Sequence, residues 1–266
     1  MKSLFAIASN TFYENIQNKV LYIFLGLAGL FLFISSCMFS GQMNVNGQVL
    51  DPRQVVGFAS SVAYGLVTFF GLLITIMLSM GILPGELESG SIVFQLTRPI
   101  GRSRFLLGKL LGAFYTIAVA TFALTSGYYL LLAARARVFY PGLYFGWALA
   151  LLDLAVMLLF VALFTLLVPR VVAGLFGFLM FFASLVIGIE PLKQYCLSDQ
   201  ANLPTKAIFI ISSVFIPHLE DLWSIGKGLA TRASLTPLEL LPILYVALYA
   251  LALMSIALVL FQKRDL

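Results

Sequence analysis

The chain has 266 residues, of which 61% are hydrophobic and only 10% charged, and its formal net charge is +5. Soluble domains carry about 25% charged residues, so there are too few charges here to cover the apolar surface of a water-soluble fold. A soluble enzyme, a disordered chain and a disulfide-stapled secreted module are excluded. No basic run is long enough to track phosphates, which fits membrane orientation and not nucleic-acid binding.

Residues 3–18 come first. Leu4, Ala8, Phe12 and Ile16 recur at every fourth position with Phe5 alongside, while Asn10, Glu14, Gln17 and Asn18 lie largely off that stripe. The pattern predicts an amphipathic helix lying in the membrane interface. Six stretches then have the roughly 20 apolar residues that a span requires, at about 20–41, 56–83, 105–134, 143–168, 171–189 and 240–261. The expected fold class is all-α: a polytopic membrane helical bundle of six transmembrane helices, one domain over 1–266. The first apolar run is too long for a signal-peptide core and no small-x-small cleavage site follows it, so no cleaved leader is expected.

Between spans two and three lies the densest polar segment, PGELESGSIVFQLTRPIGRSRFLLGK at 84–109. Pro84-Gly85 ends the second span. Glu86 and Glu88 follow, and Ser89-Gly90-Ser91 can cap a short helix over Ile92–Thr97. Arg98-Pro99 stops that helix, because the residue before proline avoids the α region. Arg102, Arg104 and Lys109 are expected to anchor the third span at anionic headgroups. A short helix with exposed apolar residues and two carboxylates at one end suits a groove on another protein.

The fourth span contains Asp153, about ten residues in and so roughly 15 Å deep. A carboxylate at mid-membrane costs at least about 2.5–3.5 kcal/mol on insertion scales. Asp153 should therefore face the bundle interior, a polar path or a partner subunit; a carboxyl that ties helices together and one that contacts cargo both remain open. Glycine pairs at four-residue spacing, Gly81/Gly85, Gly108/Gly112 and Gly142/Gly146, permit close helix contact. Residues 190–239 form an outer region in which 206–217 is apolar but, at about 18 Å of helix, too short to span. A re-entrant or surface-packed helix is expected there. His218, near Glu220 and Asp221, reads as an isolated loop histidine.

Six spans put both termini on one side. Lys2, Lys19, Arg98, Arg102, Arg104, Lys109, Arg170, Lys263 and Arg264 would then share the inner face, nine of the 16 Lys and Arg. Much of the remainder sits in the long outer segment, which counts less, so the termini are assigned to the cytoplasm; Arg135 and Arg137 argue the other way. The chain has no phosphate-binding glycine loop, no paired-histidine spacing and no nucleophile motif. Cys37 and Cys196 cannot form a framework or a metal site.

The string ELESGSI…LTRPIGRSRFLLGKLLG resembles the loop after the second span of type-2 ABC-transporter permeases, the membrane subunits of ABC exporters, and is similar to the permeases of nitrous-oxide-reductase maturation and gliding-motility systems. The start, IASNTFYENIQNKVLY, and the ending, YVALYALALMSIALVLFQKRDL, are similar in style, so the resemblance covers essentially the whole chain and is most specific in the central loop. It implies that the loop carries a coupling helix entering a cleft of a separate ATPase. By position, Glu86, Glu88, Gly90, Ile92, Leu96, Arg98, Pro99 and Arg102 fall in or beside that element. The implied protein has no cofactor or catalytic residue of its own, since ATP and Mg are bound by the partner. The implied partners are a cytoplasmic ABC ATPase, a second permease subunit (the same chain or another) and membrane lipids, with room for a periplasmic accessory protein; nucleic acid is not among them. The implied location is the bacterial inner membrane. A scaffold passing ATPase strokes to a periplasmic partner and a secondary transporter are the competing readings. Against the latter, Asp153 is the one charge deep in a span and no inverted repeat is apparent.

Overall fold

The computed structural model describes residues 2–39, 44–45, 48–49, 52–82, 101–136, 142–188, 194–196, 202, 204–207, 209, 216–232 and 240–263. The described chain runs α1 (Lys2–Ile16), α2 (Lys19–Met38), β1 (Asn44–Val45), β2 (Gln48–Val49), α3 (Pro52–Ile82), α4 (Arg102–Ala136), α5 (Gly142–Thr165), α6 (Arg170–Ile187), α7 (Leu219–Arg232) and α8 (Leu240–Lys263). The strands pair antiparallel, Asn44 opposite Val49 and Val45 opposite Gln48. The six helices α2, α3, α4, α5, α6 and α8 are long and apolar enough to cross a membrane. The fold is thus an all-α polytopic bundle.

The break between α1 and α2 follows from Asn18. Its extended backbone ends the first helix, and its side chain accepts a hydrogen bond from the Val20 amide at 3.1 Å, capping the second. In the bundle, α3 and α5 are the innermost spans. They pack on each other, and between them they touch α2, α4, α6, α7 and α8. Their polar side chains are satisfied locally. Thr68, Thr75 and Ser79 of α3 are buried, and each donates to the carbonyl four residues earlier, at 2.8, 2.7 and 2.6 Å. Two longer links cross the bundle: Tyr128 donates to the Ala59 carbonyl at 3.1 Å, and the Trp147 indole to the Thr121 hydroxyl at 3.1 Å. By contrast, α8 leaves Leu244, Leu248, Leu251, Ile256 and Val259 exposed, the surface expected against lipid or another subunit.

Two features go beyond the expectations. Lys109 is buried in α4 and paired with Glu14. Helix α1 also packs on α4: Ile7 and Thr11, with the Leu4 and Ala8 carbonyls, lie against Gly108 and Gly112. The apolar segment 206–217 lies largely outside the described residues. The element found packed in this outer region is α7, which begins at Leu219 beside His218.

Candidate functional site

Both chain ends gather at one end of the bundle. The Arg102 guanidinium, at the first residue of α4, donates to the Gln262 carbonyl at 3.3 Å. A cation there complements the negative end of the α8 helix dipole. Gln262 returns the link, its amide donating to the Ser103 hydroxyl at 2.6 Å, and Phe105 stacks on Phe261 one turn deeper. The start of α4 and the end of α8 are therefore tied together.

The N-terminal helix joins the same end. A Cβ on Gly108 would lie 2.8 Å from Ile7 Cβ, and one on Gly112 would lie 2.5 Å from the Ala8 carbonyl oxygen and 2.7 Å from Thr11 Cβ. Side chains there would push α1 off, so the glycine pair is what allows the two backbones to approach. Lys109, between the two glycines, reaches back with its Nζ 3.1 Å from Glu14 Oε2, and Asn10 donates to the other Glu14 oxygen at 2.5 Å. The Lys109 side chain is 4% exposed and that of Glu14 51%. Ile82, the last residue of α3, lines the cavity that Lys109 and Glu14 share, so the end of α3 lies at this same end of the bundle.

Of the residues assigned to coupling, Arg102 is described, and the structure assigns it to the α4–α8 junction. Glu86, Glu88, Gly90, Ile92, Leu96, Arg98 and Pro99 lie outside the described residues. The inferred short helix over Ile92–Thr97 lies there too.

Asp153 lies at the middle of α5 and is buried. Its Oδ1 has no hydrogen-bond partner among the described residues. Among the described residues, Tyr64 of α3 and Glu220 of α7 interact electrostatically with it, and neither carries positive charge. It thus faces the interior where α3, α5 and α7 meet, and Arg102 is not part of this cluster. Close backbone approach holds α7 in place: a Cβ on Gly146 would lie 2.8 Å from the Gly226 carbonyl oxygen and 3.2 Å from the Tyr64 ring, and one on Gly226 would clash with the Tyr64 hydroxyl. Ser184 of α6 fixes the start of α7, donating to the Pro217 carbonyl at 2.8 Å and accepting from the Leu219 amide at 3.0 Å. Glu220 then lies over Gly188, where a Cβ would overlap it. Burial pushes the Glu220 carboxyl above its usual range; Asp221 adds to the shift, and Lys227 opposes it.

Sequence reasoning missed Tyr64, Glu220 and the Glu14–Lys109 pair. Tyr64 looks like any aromatic residue of a span, and Glu220 looked like a loop carboxylate. The available sign was Leu219, Leu222, Ile225 and Leu229, all buried and spaced for one helical face.

Two comparisons with known proteins bear on identity. The family model described as ABC-2 family transporter protein matches residues 4–266. Over 71 residues the chain is 41% identical to the probable ABC transporter permease protein NosY of Pseudomonas aeruginosa, a match covering 25% of this chain and 26% of that protein. The chain thus spans about a quarter of the length of the curated relative it matches. The family match covers nearly all of the six-span bundle, and the chain belongs to the ABC-2 family of transporter proteins.

Proposed function

We propose that this chain is the permease subunit of an ABC exporter in a bacterial inner membrane, driven by a separate ATPase on the cytoplasmic side. The observation that carries the reading is the family match over residues 4–266. The geometry supports it. Helix α1, the start of α4 and the end of α8 are tied together at one end of the bundle, and α3 ends beside them at Ile82, where in sequence the 84–104 segment follows. A push on that segment would reach α1 through Glu14–Lys109 and α8 through Arg102–Gln262. Two permease subunits and two ATPases would alternate the access of a shared path, with ATP binding closing the ATPase pair and moving the spans. The chain itself would turn over no ATP.

The test is topology by thiol labelling in intact cells, with Cys37 and Cys196 first replaced by serine. A cysteine at Gln262, exposed at the end holding both termini, should resist an impermeant reagent. One at Ser224, exposed on α7, should react. The reverse pattern would overturn the cytoplasmic placement and the coupling role built on it.

A further inference from the structure

Where α1, the end of α3 and the start of α4 meet, they enclose a cavity of about 210 Å³. One side is polar, with Glu14, Asn15 and Asn18 from α1 and the turn after it, and Lys109 from α4. The other side is apolar, formed by Met77 and Ile82 of α3. The cavity lies at the level where α2 begins and α3 ends, which is headgroup depth for a helix that crosses the bilayer. Beyond Asn18, which lines the cavity, Tyr22 and Ile23 are exposed on α2.

We propose that this cavity binds the phosphoethanolamine headgroup of a membrane phospholipid, with Lys109 at the phosphate and Glu14 at the ammonium. The charge balance selects this chemistry. Among the described lining residues the charged ones, Lys109 and Glu14, are together neutral, so they leave an anionic headgroup with one uncompensated negative charge and a zwitterionic one with none. The primary ammonium has N–H donors for the carboxylate and the Asn side chains, whereas a quaternary choline has none. Size agrees: about 210 Å³ is the share of about seven liquid waters, and a phosphoethanolamine group has about eight heavy atoms. The acyl chains would leave along Tyr22 and Ile23. The lipid would thereby bridge α1 to the ends of α3 and α4, independently of whether the chain acts as an exporter.

Native mass spectrometry of the full chain, released from nanodiscs of equal parts phosphatidylethanolamine, phosphatidylglycerol and phosphatidylcholine, tests the site. Phosphatidylethanolamine should be retained over the other two. Gly81→Leu should cut that retention at least about tenfold, because Gly81 lines the cavity and nothing lies within 4 Å of an added Cβ. The double variant Glu14→Gln/Lys109→Met, which removes both headgroup contacts at unchanged net charge, should do the same and carries the test if Gly81→Leu fails to fold. Unchanged retention in the folded variants, or equal retention of the three lipids, would overturn the site. Preference for phosphatidylglycerol would overturn the zwitterion assignment. Soluble phosphoethanolamine and inorganic phosphate should fail to displace the lipid; displacement by either at comparable concentration would overturn the lipid as the source of the group.

Discussion

Lys109 Nζ and Glu14 Oε2 stand 3.1 Å apart, although 95 positions separate them in the chain. This pair fastens the N-terminal helix to the third span. Its two members differ in burial, which gives it an asymmetric response to mutation. Glu14→Gln leaves a buried ammonium without its carboxylate and should destabilise the chain by about 1–3 kcal/mol. Lys109→Met leaves a half-exposed carboxylate that water can solvate, and should cost less than about 1 kcal/mol. The double variant should recover most of the Glu14→Gln loss. Thermal melts of the three variants in one detergent check the order.

The Gly108/Gly112 pair makes a second prediction. Gly112→Val places side-chain atoms against the Ala8 carbonyl and Thr11, where backbone cannot move aside cheaply. Such overpacking typically costs about 1–3 kcal/mol, and here the loss should be local: α1 should become protease-sensitive while the spans stay folded. Gly127→Val, at a position with nothing within 4 Å, is the control and should leave α1 protected.

How much of this was legible in the sequence depended on what each feature competes with. The six spans stand out because nothing but lipid accommodates apolar runs of that length. Helix α1 was legible as a helix, but its docking face was not: the face is set by Gly108 and Gly112, and this chain has 21 glycines with several pairs at the same spacing. Helix α7 went unread because Glu220, Asp221, Lys227 and Arg232 give it the composition of a loop, while its apolar face is short. Asp153 stood out from the start, because a buried carboxylate in a span has so few explanations. Its neighbours Tyr64 and Glu220 come from elements 89 and 67 positions away, a pairing that only the packing of α7 reveals.

Glu220 should make the docking of α7 depend on pH. Its carboxyl is raised above the ordinary value of 4.5 when α7 is docked, so the docked state holds the proton more tightly than the undocked one. Docking is then most stable below that ordinary value and weakens as pH rises toward the raised one, above which it levels off. Hydrogen exchange over Leu222–Leu229, corrected for intrinsic rates, should show protection falling as pH rises from mildly acidic toward neutral. Glu220→Gln should flatten that dependence while Asp221, Lys227 and the neighbouring Asp153 are retained.

Asp153→Asn keeps the shape of a buried side chain whose Oδ1 has no partner among the described residues, so it should match the parent within about 1 kcal/mol in thermal stability. Asp153→Leu removes the polar group as well and puts two methyl groups in place of the carboxyl oxygens. If Asp153 engages cargo, Asn should lower transport while assembly stays intact. If it only ties helices, Asn should transport normally and Leu alone should loosen α7. Normal assembly, stability and transport in both variants would make Asp153 incidental.

The most direct measurement of the central claim is site-specific photo-crosslinking in cells that co-express the chain with its ABC ATPase. The crosslinker would be placed in turn at Ile92, at Gln262 and at Ser224. Ile92 should capture the ATPase strongly, because the proposed coupling segment contains it, and Gln262 at least detectably, because it lies where α4 and α8 are tied together; Ser224 on α7 should capture none. Capture at Ser224, or none at Ile92 from a complex that still co-purifies, would contradict an ATPase docked on the 84–104 segment.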